Sequence, residues 1–285
     1  MPNTILTPSI IAREALMVLR NNAVMSRLVH RNYSDEFVAG VGDTITIRKP
    51  ATFEAKEFSG EITVQDAAEG STTVKMDKHL DVSFAVTSKE LTLDIANFSA
   101  QFLVPAMQAF ADKVDGYLLA LAKDVTNTVA STDDTRKDIV AARKFLTENA
   151  APLTDRRFVY GSDMEADLLN TDLFISAEKV GDSGTALREA SLGRKFGMDF
   201  YVDQNADTAG VHGVAFHKNA FALVTRPLAL PEGASEAAIV NYDGFALRVV
   251  RDYDIKTKTD TISIDMLCGV KLLDEKLAAT INAAA

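Results

Sequence analysis

Apolar and polar positions alternate with period two in two separate stretches. Residues 41–58, VGDTITIRKPATFEAKEF, set Ile45 and Ile47 among Thr44, Thr46 and Arg48. Residues 80–87, LDVSFAVT, set Leu80, Val82, Phe84 and Val86 among Asp81, Ser83 and Thr87. Each reads as a strand with one buried and one wet face. Between them runs a polar excursion with a turn signal at Glu69-Gly70-Ser71. The two strands therefore read as the sides of one long, thin hairpin. Its base, near Ile45, Ile47, Phe84 and Val86, can lean on a following helix. Its outer part carries only sparse apolar residues, Phe53, Phe58, Ile62, Val64, Val74 and Met76. With no internal partner for these, the expected partner is another copy of the chain.

Helical periodicity appears on either side. TPSIIAREALMVLRNNAVMSRLVHR opens on Thr7-Pro8, a good helix start, and puts Ile11, Ala15, Val18 and Leu19 on one face. Phe98, Phe102, Ala106, Phe110, Val114, Tyr117, Leu118, Leu121, Val125 and Val129 recur every three or four residues. They predict one long helix with Asp112, Lys113, Asp115, Lys123 and Asp124 on its polar face. Pro105 either begins that helix or kinks it. A mixed α/β stretch follows. Asp133 or Asp134 caps a helix through Ile139, Ala142 and Leu146, Phe158-Val159-Tyr160 is a short strand, and Ser162 with Glu165 forms a capping box. GRKFGMDFYVDQN turns a helix end through Gly197 into a strand, and residues 215–216 and 220–224 read as a strand pair. At the end, Phe245, Leu247, Val249 and Arg251 alternate, as do Ile262, Ile264, Met266 and Cys268, around a polar hairpin tip, DYDIKTKTD.

A chain of 285 residues, 47% apolar, is long enough for roughly two domains and a core without staples. One cysteine, Cys268, allows no internal disulfide and reads as a small buried hydrophobe. No apolar run reaches about 18 residues, so no membrane span is expected, and the start shows no secretion signal. The net charge of −10 disfavours binding nucleic acid by the whole surface. The first 34 residues nonetheless carry Arg13, Arg20, Arg27 and Arg31 against Glu14 alone. That pattern fits a solvated helix face, and also a basic arm on an acidic body.

Candidate chemistry is thin. Gly181-Asp182-Ser183-Gly184 echoes the nucleophile motif of trypsin-like proteases, but Thr185 follows it and the stretch lies in a polar loop. A catalytic serine needs a positioned base and a rigid turn, so a surface loop is the expectation. His212 and His217, five apart on a strand, point to opposite faces and make no metal pair. Gly40-Val41-Gly42 lacks the third glycine of a dinucleotide loop. No enzyme activity and no cofactor are expected.

The order of these parts resembles the major capsid (coat) protein of tailed double-stranded DNA bacteriophages, with its HK-ninety-seven-like α+β fold, and more closely the P-twenty-two-type branch. The residues that carry the likeness are GDTITIRKP, DKHLDVSFAVTSKELTLDIANFSAQFLVPA, ADKVDGYLLA, GRKFGMDFYVDQN, AFHKNAFALVTRPL and DMLCGVKLLDEKLAATI. The resemblance implies an N-terminal arm over 1–38 and an extended loop over 39–90. It implies a peripheral domain with a spine helix over 91–132 and 236–285, and an axial domain over 133–235. It further implies pentamers and hexamers in an icosahedral virion shell around packaged double-stranded DNA, assembled in the host cytoplasm and matured from a procapsid. A portal and a separate scaffolding protein are implied partners; a membrane is not. On that basis Phe53, Lys56, Glu57, Phe58, Ile62, Val64, Val74 and Met76 would reach a neighbouring subunit. Arg13, Arg20 and Arg27 would face the shell interior, and Asp254, Lys256, Lys258 and Asp260 would meet their copies at three-fold positions. The rivals are an encapsulin-type cellular shell of the same fold and a serine hydrolase using Ser183.

Overall fold

The computed structural model describes residues 8–33, 42–49, 70–87, 102–132, 134–171, 192–208, 210–233, 236–242 and 245–282, with 53, 55, 57, 60 and 64 singly between. The arm forms α1 (Pro8–Asn22) and the single turn α2 (Met25–Leu28). Ile11, Ala15 and Leu19 of α1 are buried, as their spacing predicts, Val18 is half-buried, and Ala12 is buried as well. A small sheet follows: β1 (Thr44–Lys49) pairs antiparallel with β2 (Gly70–Lys75), from Thr44↔Lys75 to Lys49↔Gly70.

The second predicted strand lies elsewhere. β3 (Lys78–Thr87) pairs not with β1 but with β12 (Thr259–Leu272), setting Phe84 opposite Ile262 and Val82 opposite Ile264. β12 also pairs with β11 (Phe245–Asp254), which pairs with β10 (Glu236–Tyr242). The far end of β12 pairs with β9 (Phe221–Arg226). The apolar sides of Phe84, Val86, Ile262, Ile264 and Met266 join one core with α1 and with α3 (Val104–Ala120). Phe84 stacks on Phe102 at 5.3 Å, so this part of the expected hairpin base does meet the helix.

Pro105 stands in the first turn of α3, directly after two residues in π-helical geometry, Phe102 and Leu103; residues 88–101 lie outside the described residues. The helix is shorter than the apolar stripe. A 3₁₀ turn, Leu121–Asp124, ends it, Val125 is extended, and Val129 lies in β4 (Thr128–Ala130). Asp115 was expected on the polar face but is buried. Phe98 lies outside the described residues.

A six-stranded sheet forms the rest, in the order β4, β13 (Ala278–Asn282), β8 (Val211–His217), β5 (Arg156–Tyr160), β7 (Met198–Val202), β6 (Arg194–Lys195). One face packs under α4 (Thr135–Glu148) and α5 (Ser162–Asn170) through Ile139, Leu146, Phe158, Tyr160, Met198 and Phe200. The other face joins the first core through Val159, Val214 and Phe216. Asp134 caps α4, its Oδ1 accepting the Lys137 N–H at 3.4 Å. The expected capping box at α5 does not form. Instead Asp207, in the short α6 (Asn205–Thr208), accepts both the N–H and the hydroxyl of Ser162, at 2.8 and 2.5 Å. Residues 194–202 are a hairpin rather than a helix end, turning through Phe196 and Gly197, both at positive φ. β8 and β9 are not a pair: a 3₁₀ turn, Lys218–Ala220, carries the chain from one sheet to the other. β13 likewise leaves the 236–285 segment to lie between β4 and β8.

Candidate assembly surfaces

The β1–β2 hairpin is anchored at its base. Ile47, Val74 and Met76 are buried with Val224 of β9, flanked by Ile45, Tyr33 and Leu267. Val74 is 0% exposed and Met76 8%, so both have a partner inside the subunit, contrary to the sequence expectation. The anchor depends on Gly269. A Cβ there would lie 2.2 Å from the Lys75 carbonyl oxygen, so only glycine lets β12 pass beneath the chain leaving β2. Beyond Lys49 and Gly70 the excursion is exposed where it is described: Phe53 is 66% and Val64 86% exposed, with Glu57 exposed between them. Lys56, Phe58 and Ile62 lie outside the described residues.

The arm presents a mixed outer face. Arg13 and Arg27 are exposed, and so are Ile10 and Met17 on the same outward side of α1. Arg20 also falls in α1. At the arm's end the chain bridges to β9: the His30 N–H donates to Phe221 O at 3.0 Å, and the Leu223 N–H to His30 O at 2.9 Å. Arg157 of β5 donates to the carbonyl of Leu28. The arm's root is thus held by both sheets.

The tip between β11 and β12 is a built turn. Asp254 accepts the Lys256 N–H at 2.8 Å and the Thr257 hydroxyl at 2.9 Å. These bonds, the backbone N–H foremost, hold its carboxyl below the usual range. Asp260 is not at the tip. It is buried in β12 and accepts from Arg251 Nε at 3.1 Å within the same subunit. Lys256 and Lys258 are exposed, and Ile255, 77% exposed, stands beside them. The tip therefore offers an apolar knob that the charge pattern had hidden.

Ser183 lies outside the described residues. His217 is buried, its Nδ1 accepting the Asn219 N–H at 3.2 Å, and burial lowers its pKa. His212 instead lines a polar cleft of about 450 Å³ with Thr132, Asp134, Thr135, Asp167 and Thr171. Among the described residues, no three His, Cys, Asp or Glu side chains come together as a metal site. Cys268 is buried and its thiol is pushed up to about 12, which makes it inert. Among the described residues no helix is long and apolar enough to cross a membrane.

No protein-family model matches the chain, and no curated protein matches it either. Solved structures do. A structure from Mycobacterium phage Che8 superposes with a TM-score of 0.70 at 19% identity, covering 91% of each chain. The capsid structure of cyanophage P-SCSP1u superposes with a TM-score of 0.63 at 13% identity, over 91% of this chain and 88% of that one. The mature capsid of bacteriophage PhiM1 gives 0.60 at 13%, over 85% and 82%. The chain has the phage-capsid fold. That fold is HK-ninety-seven-like, as the order of elements implies.

Proposed function

We propose that this chain is the major capsid protein of a tailed double-stranded DNA bacteriophage, assembling as pentamers and hexamers into an icosahedral shell around packaged DNA. One observation carries the reading: capsid structures match along nearly the whole chain, over 91% of its length. The hairpin supports it independently. Its base is well anchored, yet its described outer residues Phe53 and Val64 are left in solvent. An isolated hairpin is marginal in water, and exposed apolar side chains on a projecting element mark an interaction surface.

In this reading the excursion beyond Lys49 and Gly70, with Phe53, Lys56, Glu57, Phe58, Ile62 and Val64, lies over a neighbouring subunit. Val74 and Met76 position it. The β11–β12 tip meets other copies at three-fold positions through Lys256, Lys258 and Ile255, with Asp254 shaping the turn. The arm faces the interior, placing Arg13, Arg20 and Arg27 toward DNA or a separate scaffolding protein. The six-stranded sheet surrounds the capsomer axis, a portal occupies one vertex, and the shell matures from a procapsid formed in the host cytoplasm. The chain acts by association and not by catalysis. Negative-stain electron microscopy of the expressed protein tests the reading. Closed polyhedral particles are expected; small oligomers under every assembly condition, with and without the scaffolding protein, would overturn it.

A further inference from the structure

The edges of the two larger sheets end in different ways. β4 and β6, at the ends of the six-stranded sheet, are three and two residues long. β9 is bridged by His30 of the arm. β3 carries Lys78, His79 and Asp81. Shortness, cover and charge are the usual means of keeping a sheet edge from pairing with another chain. β10 has none of them. It is the outermost strand of its sheet, seven residues, EAAIVNY, paired with β11 alone and in unbroken register. It contains no proline, no lysine and no bulge. Its one charge, Glu236 at the start, lies 4.0 Å from Arg251 of β11.

Tyr242 and Phe245 pair across a two-residue connection. The closing pair of such a hairpin exchanges both backbone bonds, and bonded and non-bonded pairs alternate from there. Tyr242, Val240, Ala238 and Glu236 therefore bond to β11. Ala237, Ile239 and Asn241 turn their N–H and C=O groups outward, and no other backbone bond reaches them among the described residues. Val240 packs on the core, so the side chains of these three lie on the opposite face. Ile239 is 37% exposed and Asn241 is exposed.

We propose that this edge takes β10 of a second copy of the chain, antiparallel, joining two sheets across a two-fold axis at Ile239. The strand's own symmetry favours a copy over a foreign strand. Reversal about Ile239 sends residue 237 onto 241 and 239 onto itself. All three outward residues then meet outward residues, and each pair exchanges two N–H···O bonds. The same reversal sets each Glu236 opposite Tyr242 at the far end, so the two charges stay apart. It also brings the two exposed Ile239 side chains together on one face. A contact of this isologous kind closes on itself and makes pairs, not fibres. The pairing needs two subunits and no shell; only its placement at a two-fold position of a shell rests on the proposed function.

Disulfide cross-linking of the full-length chain under copper-catalysed air oxidation tests the pairing, since the native Cys268 is buried. Opposed residues of a bonded pair have Cα atoms about 5.5 Å apart, within disulfide range. Ile239→Cys should therefore give a covalent dimer on a non-reducing gel. Asn241→Cys should not, because the reversal holds the two copies of residue 241 about 14 Å apart. Ile239→Pro removes an outward N–H and leaves the β11 ladder whole. Sedimentation should show its pairing lost, and amides 237, 239 and 241 should lose exchange protection with it. Equal cross-linking from both cysteines, or none from Ile239→Cys in free subunits or assembled particles, would overturn the pairing. Protection of residues 237–241 that appears only on adding a different protein would overturn it in favour of a foreign strand. If Ile239→Pro does not fold, the two cysteine variants decide. Shells that form without an Ile239→Cys cross-link would remove the pairing and leave the capsid reading standing.

Discussion

The hairpin can be cut without touching its anchor. Lys49 and Gly70 face each other at the end of the β1–β2 ladder, so replacing residues 50–69 with Asn-Gly closes the strands through a two-residue type I′ turn. The buried base, Ile47, Val74, Met76 and Val224, stays whole. The described residues removed, 53, 55, 57, 60 and 64, are all exposed, so their loss takes away no buried apolar surface. Shortening the connection from about 20 to about 2 residues lowers the closure entropy by about 2 kcal/mol. The trimmed subunit should melt at the wild-type temperature or a few degrees above it. If the chain builds shells as proposed, the same subunit should fail to form them. Calorimetry of the unassembled protein reads the first outcome, and electron microscopy with sedimentation reads the second. Normal shells from the trimmed chain would refute the proposed role of the excursion. A melting point several degrees lower would refute the claim that the excursion rests on nothing within its own subunit.

Gly269→Ala drives a Cβ to within 2.2 Å of the Lys75 carbonyl oxygen. Overpacking of this kind costs about 1–3 kcal/mol, and calorimetry should show a lower melting point, with faster exchange at residues 70–76. Asp265→Ala leaves Arg248, which binds both oxygens of that carboxylate from the neighbouring strand, without its anion. A loss of about 2 kcal/mol or more by urea titration is expected, and a double-mutant cycle with Arg248→Met should recover part of it. Joint substitution of Arg13, Arg20 and Arg27 by Gln should leave the subunit's melting point unchanged, since Arg13 and Arg27 are exposed. It should weaken scaffold binding or DNA retention in the proposed shell; unchanged assembly and DNA content would remove the inner-face role of the arm.

Local order was largely legible. Alternation marked β1, β3, β11 and β12, and the 3.6-residue stripe marked α1, α3 and α4. These signals are local because side-chain direction follows from backbone period alone. What alternation cannot carry is the identity of the partner. β3 has the apolar face of a hairpin arm, yet it pairs with β12 near the other end of the chain, because that places Phe84 and Val86 over α3 with Ile262 and Ile264. Val74 and Met76 looked unpartnered for the same reason: their partner, Val224, is distant in sequence.

The sequence by itself determined which stretches are strands and helices and which of their sides are apolar, and the order of those elements was enough to suggest the capsid fold. Tertiary structure alone decided the pairing of strands, the exchange of β9 and β13 between sheets, and the status of the polar groups. Asp115 reads as a surface acid in a helix that carries Asp112 and Lys113. It is buried because its oxygens meet the amides of a turn that folds back from the arm. Asp260 reads as a charged tip residue and is instead occupied by Arg251. Periodicity records where a side chain points; whether a charge can be buried there depends on the hydrogen-bonding groups that distant segments bring to it.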